Sequence, residues 1–149
     1  MQIKRDTEYA LRILFAMGER CPEKDGPMTG LSINEITMSS GVPRVGVDRL
    51  CRRMASAGLI TERKGGGGEL LFCSSQDMRR ATLLDVMKIT EDGISLFAVF
   101  EKNSPFYRSA GMKLQGLQEE TEALLSCLTV GDLLNAEKNE KSPEDVSDA

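Results

Sequence analysis

The stretch from Leu31 to Gly58 constrains this chain more than any other. Ser32 and Glu35 form an S-x-x-E capping box, each side chain able to satisfy the other's free backbone N–H, so a helix starts at Ser32. Leu31 and Ile36 take the two positions of a hydrophobic staple around that start. Gly41 suits the left-handed residue that ends a short helix. Pro43 suits the first turn of the next, where its missing N–H costs nothing. In that next helix Val47, Leu50, Met54 and Ala57 recur at helical spacing and form an inward stripe. Arg44, Arg49, Arg52 and Arg53 project elsewhere, and Gly58 stops the helix. Two short helices meeting at a glycine, the second apolar inside and basic outside, make a helix-turn-helix pattern. A helix fits the major groove of duplex DNA, and its outward residues reach base edges.

The next segment extends the pattern. Leu59 to Lys64, then Gly65 to Gly68, then Glu69 to Cys73 reads as strand, flexible turn, strand, with Leu70 and Phe72 on one face by period-two alternation. A hairpin directly after a recognition helix, with Arg63 and Lys64 at its base, has the place of a wing. Its glycines let backbone approach a phosphate or a minor groove without side-chain clash. A glycine-rich nucleotide cradle is the rival reading. It needs a helix after the loop, where this sequence has strand.

Charge agrees with a local contact surface. The chain has a net charge of −4, but from Gly41 to Lys64 six cations (Arg44, Arg49, Arg52, Arg53, Arg63, Lys64) face two anions (Asp48, Glu62). The field at the contact surface matters more for nucleic-acid binding than the global balance. A solvated helix face would show the same charges.

Other chemistry is narrowed by what is missing. The chain contains no histidine, which excludes a Ser-His-Asp triad, a Cys-His pair and a His-ligated zinc. No paired-carboxylate constellation stands out either, so no catalytic or metal-ligating residues are assigned and no enzyme is expected. Cys21, Cys51, Cys73 and Cys127 are 30, 22 and 54 residues apart, unlike a zinc ribbon, and read as free thiols of a reducing compartment. No apolar run approaches the roughly 20 residues that span a bilayer. The charged start MQIKRDTEYA does not read as a signal peptide, so a cytoplasmic protein is expected.

Elsewhere the segment after Asp6 or Thr7 reads as a helix ending near Gly18, with Ala10, Leu14 and Met17 on one stripe and Leu11 and Phe15 beside it. Cys21 to Gly30 is a loop. Thr82 caps a short amphipathic helix that ends near Gly93. From Ser104 or Pro105 a long helix is expected to about Leu128, a rod of roughly 36 Å. Ala110, Leu114, Leu117, Thr121, Leu124 and Leu128 follow a heptad-type seam along it. An apolar edge on so long a rod suits burial in a second copy of the chain, with packing on the first helix as the alternative. Thr129 caps a last helical turn through Leu134. The expected organisation is therefore a winged helix-turn-helix region over 1–91, a dimerisation helix region over 92–137 and a disordered acidic tail over 138–149. The fold class is mainly α with a small β-hairpin wing.

This order of elements resembles the Rrf-two family of bacterial winged-helix regulators, over about residues 1–134. Tyr9-Ala10-Leu11-Arg12 is similar to the family's first helix, Ser32 to Gly58 to its helix-turn-helix and Gly66-Gly67-Gly68 to its wing. Thr82-Leu83-Leu84-Asp85-Val86 and Thr129-Val130-Gly131-Asp132-Leu133 are similar to its later elements. The resemblance implies a homodimeric DNA-binding transcriptional regulator, in the first instance a repressor, on a palindromic operator. It places Pro43, Arg44, Val45, Asp48 and Arg49 toward bases, and Arg52, Lys64 and Lys4 toward phosphate. Arg63 stands at the wing, and Tyr9 completes the candidate DNA-binding set. Leu114, Leu117, Thr121, Leu124 and Leu128 would form the dimer seam.

Cluster-carrying members of the family hold iron and sulfur with three cysteines between the post-wing helix and the long helix. Asp92 to Met112 has none here, so no cofactor is expected. The wing's usual Arg-Gly is Arg63-Lys64, and the aromatic residue after the glycines is Glu69. Two alternatives stay open: a degenerate dimer that binds a protein, and a thiol-based redox sensor in which Arg52 and Arg53 lower the pKa of Cys51.

Overall fold

The computed structural model describes residues 4–20, 30–91 and 105–135. In chain order it comprises α1 (Arg5–Arg20), β1 (Leu31–Ser32), α2 (Ile33–Ser40), α3 (Arg44–Ser56), β2 (Ile60–Lys64), β3 (Leu70–Ser74), α4 (Gln76–Arg80), α5 (Leu83–Glu91), a π turn (Tyr107–Gly111) and α6 (Met112–Ser126). Cys21, Gly93, most of the linker before α6 and the acidic tail lie outside the described residues. The architecture is a mainly helical winged helix, as the sequence pattern predicts.

The capping box forms. Glu35 N–H donates to Ser32 Oγ at 3.2 Å, and Ser32 N–H donates to the Glu35 carboxylate at 3.3 Å. Leu31 and Ile36 are both buried, closing the staple. Gly41 adopts φ +71° and donates its N–H to Thr37 O, ending α2. Pro43 stands one position earlier than expected, as the N-cap of α3 rather than inside its first turn.

Helix α1 presents Ala10, Ile13, Leu14 and Met17, all fully buried, and packs on α2, α3, α5 and β3. It runs two residues past Gly18. That glycine serves packing rather than termination, because a Cβ there would stand 2.8 Å from Leu134 Cδ1. In α3 the buried stripe is Val47, Leu50, Cys51 and Met54. Ala57 lies beyond the helix end and is exposed, so Cys51 fills the inward place expected of Ala57. Burying side chains of this size is worth about 1.5–3 kcal/mol each, which fixes α3 against the core.

The sheet has order β1-β3-β2, with both pairings antiparallel. Leu31 faces Phe72 across β1 and β3, while Glu62 faces Phe72 and Lys64 faces Leu70 across β2 and β3. Strand β1 and helix α4 were not expected. Two residues are too few to show an alternation, and α4 is a short turn capped by Ser75, whose Oγ accepts from Met78 N–H at 3.3 Å.

Thr82 caps α5 with Asp85, and Thr129 caps the helical turn 130–135 with Asp132, by the same reciprocal bonds. Thr82 and Thr129 also pair as an isolated antiparallel bridge. The long helix differs from its expected form. The π turn at Tyr107–Gly111 precedes 15 residues of regular helix. A π turn takes an extra residue, so Ala110 does not continue the face that starts at Leu114. Helix α6 packs on α5, not chiefly on α1, and none of its residues is buried.

Candidate nucleic-acid interface

The face of α3 opposite its buried stripe is open. Arg44, Val45, Arg49, Arg52 and Arg53 are exposed, Val45 by 80%, and Asp48 is half-buried. Pro43 is exposed at the head of the helix, and Met38, 86% exposed, stands on the neighbouring α2. A large apolar side chain in water is informative only beside others. Here Met38 and Val45 flank the turn between the two helices. Nothing in the periodicity of α2 distinguished Met38 from an ordinary surface residue.

The charges on this face are not all at liberty. Arg49 Nη1 and Nη2 donate to Asp6 Oδ2 and Oδ1, each at 2.8 Å, tying α3 to the first turn of α1. The Arg49 hydrogen bond holds the Asp6 carboxyl below its ordinary pKa, and the same bond raises that of Arg49. Arg52 Nε donates to Asp48 Oδ1 at 2.8 Å, one turn away on α3, and Arg52 Nη1 lies 3.9 Å from Glu62 of β2. No ion pair among the described residues engages Arg44, Arg53, Arg63 or Lys64. Exposed pairs of this kind contribute little to stability. They therefore shape the field of the face more than they hold the fold.

Thr61 to Lys64 of β2 are exposed, placing Arg63 and Lys64 at the outer end of the hairpin. The glycine turn closes with Gly65 N–H to Glu69 O at 2.8 Å and Gly68 N–H to Gly65 O at 3.0 Å. Glu69 stands at the end of this turn. Its carboxylate folds over the turn and accepts Gly67 N–H at 3.0 Å, where a Cβ on Gly65 would collide with it. A backbone donor suited to phosphate is thus met by the chain's own acid.

Lys4 is exposed at the start of α1, and its backbone N–H donates to Glu91 Oε1 at 3.4 Å. Tyr9 is half-buried, packing on the core beside Gly46 of α3. Thr7 is fully buried, bonded to Thr90 Oγ1 at 2.6 Å and to the Glu91 carboxylate. The first turn of α1 is thereby pinned to the end of α5.

Cys51 corrects the redox-sensor reading. It is fully buried in the α3 stripe, and burial first, then Asp48, pushes its thiol up to about 12. Arg52 and Arg53 point to solvent and do not lower it. A thiol this reluctant to ionise is a packing group, not a nucleophile.

This arrangement, a buried-and-basic second helix followed by a glycine-tipped hairpin, has solved counterparts. CymR (YrzC), the global cysteine regulator of B. subtilis, superposes with a TM-score of 0.66 at 20% identity, covering 91% of this chain and 98% of that one. T. potens IscR gives 0.64 at 18%, covering 91% and 88%. In sequence, protein aau3 of Rhizobium meliloti (strain 1021) is 27% identical over 145 residues, 91% of this chain and 86% of that protein. The family described as Rrf2, iron-dependent transcriptional regulator, matches residues 3–136. The chain belongs to the Rrf2 family.

Rrf2 proteins are transcriptional regulators and not enzymes. Among the described residues the iron in the family's description finds no fitting donor set. Cys51 and Cys73 are buried in the core and Cys127 is exposed after α6, and the described residues contain no group of three His, Cys, Asp or Glu able to hold a metal. Among the described residues no helix is long and apolar enough to cross a membrane.

Proposed function

We propose that this Rrf2 protein is a sequence-specific DNA-binding regulator that acts in the cytoplasm as a homodimer, as a repressor on a palindromic operator. The observation that carries the reading is the division of α3. One stripe is fully buried, and the opposite one presents Arg44, Val45, Asp48, Arg49 and Arg52 beside a hairpin bearing Arg63 and Lys64. A helix held so firmly by its inner face can enter a major groove without repacking. Pro43, Arg44, Val45, Asp48 and Arg49 would face bases, and Lys4, Arg52, Arg63 and Lys64 would meet phosphate or the groove rim. Tyr9 would support α3 from behind.

The dimer reading rests on α6. Met112, Leu117 and Leu124 of α6 are exposed, by 70%, 49% and 73%, and Leu128, which lies past the helix end and not within it as expected, by 37%. Leu114 and Thr121 are half-buried on the same side. Thr121 already gives its hydroxyl to Leu117 O at 2.8 Å, so it can enter an apolar seam without an unmet donor. A protein-binding dimer is the second reading, favoured by the acids Asp6, Asp48, Glu62 and Glu69 on the same surface. Selecting fragments of the source genome on purified protein at low salt tests the proposal. Enrichment of two-fold symmetric fragments, with affinity falling steeply as salt rises, is expected. No salt-sensitive binding to any fragment would hand the surface to the protein-binding reading.

A further inference from the structure

The pair between Asp6 and Arg49 leaves one edge of the guanidinium unused. Both bonds to Asp6 come from the terminal nitrogens, Nη1 and Nη2. Arg49 Nε makes no hydrogen bond among the described residues, and the side chain is 47% exposed. The edge formed by Nε–H and the second hydrogen of Nη2 is a two-donor fork of the kind that matches O6 and N7 of guanine.

Asp6 is also well placed to hold that fork still. It sits in the first turn of α1, where helices ordinarily fray, but the neighbouring Thr7 is buried and bonded to Thr90 and Glu91. Lys4 N–H adds a bond to Glu91. Arg49 is thus tied to a fixed point of the core rather than to a loose end. The pair is largely exposed and contributes little to stability, so the fold does not require it.

We infer that Asp6 is a positioning residue for sequence recognition: it orients Arg49 so that its free edge meets a guanine in the major groove, and stays bonded to it in the complex. The inference rests on the DNA-binding reading above. Ordering a flexible arginine before binding removes a cost otherwise met on the operator. On random duplex the paired arginine is electrically neutralised and adds little to phosphate attraction. Asp6 therefore raises affinity for the right site and lowers it for the wrong ones.

The test is Asp6→Asn, assayed by fluorescence anisotropy on the fragment selected by wild type and on random duplex, across a salt series. The expected result has opposite signs. The selected fragment weakens about two- to tenfold, the scale of one arginine's ordering, while random duplex tightens by up to about fivefold. In the Arg49→Ala background, Asp6→Asn no longer weakens the selected fragment. Glu8→Gln removes one negative charge from the same helix and must not weaken it either. Asp6→Glu keeps a carboxylate and should restore part of the discrimination, which separates positioning from a folding defect. If Asp6→Asn tightens both duplexes alike, Asp6 only screens charge and the inference is wrong. If wild type binds both and Asp6→Asn changes neither, the inference fails alone. If wild type binds no DNA, the functional reading fails and takes the inference with it.

Discussion

Helices α3 and α6 both carry leucines at helical spacing, yet they stand in opposite states: α3 is sharply two-faced, α6 only weakly so. Helix α3 buries Val47, Leu50, Cys51 and Met54 completely within its own chain. Helix α6 leaves none of its residues fully buried, and Leu117 and Leu124 are exposed. A face already satisfied inside the chain leaves the other face free for a ligand. On the proposed function, the exposed leucines of α6 would be covered by another copy of the protein. The two helices would then divide recognition from assembly, and substitutions on them should fail in different ways.

The largest effect is expected on α6. Replacing Leu117 and Leu124 together by Asp would put two carboxylates into the proposed apolar seam, where burying an unpaired charge is costly. The expected outcome by light scattering at micromolar concentration is dimer for wild type and monomer for the double variant. On α3 the matching change is Leu50→Ala, expected to cost about 2–5 kcal/mol of unfolding free energy by the lost burial and the cavity. A cost of Leu124→Ala that alone depends on protein concentration would set α6 apart from α3. Equal concentration dependence for the two substitutions would mean that both helices are stabilised in the same way.

A smaller effect reports the interior of α3. Cys51 titrates at about 12 in the folded chain against an ordinary 9.0. Between those values the unfolded chain loses the proton first, so the contribution to stability is complete below pH 9 and declines as pH rises toward 12. Denaturant unfolding of wild type and Cys51→Ala at pH 8 and pH 10 should show the gap between them narrowing by about 1 kcal/mol. An unchanged gap would mean that the thiol is more open than its burial indicates.

Much of this was legible because it is local. The capping boxes at Ser32, Thr82 and Thr129, the glycine at 41 and the stripe of Val47, Leu50 and Met54 each declare themselves within a few residues. The order of these local signals was enough for the fold and the family. What escaped is long-range or lacks a period. Asp6 and Arg49 are 43 residues apart, and only the packing of α1 on α3 brings them together. Strand β1 exists because Leu31 meets Phe72, which no window around Leu31 contains. The π turn at Tyr107–Gly111 broke a heptad reading that assumed one uninterrupted helix. Glu69 was seen as a charge near the wing, but only the folded turn shows it on Gly67 N–H.

If α3 reads sequence while the wing supplies backbone affinity, one substitution in each separates the two roles. Arg49→Ala and Lys64→Ala should be measured by anisotropy on the selected fragment and on random duplex, over a salt series. Arg49→Ala is expected to cost about 1–3 kcal/mol on the selected fragment and little on random duplex. Lys64→Ala should weaken both nearly equally and flatten the salt slope by about one unit. Equal losses on both duplexes from Arg49→Ala, or no loss from either substitution, would contradict that division of roles.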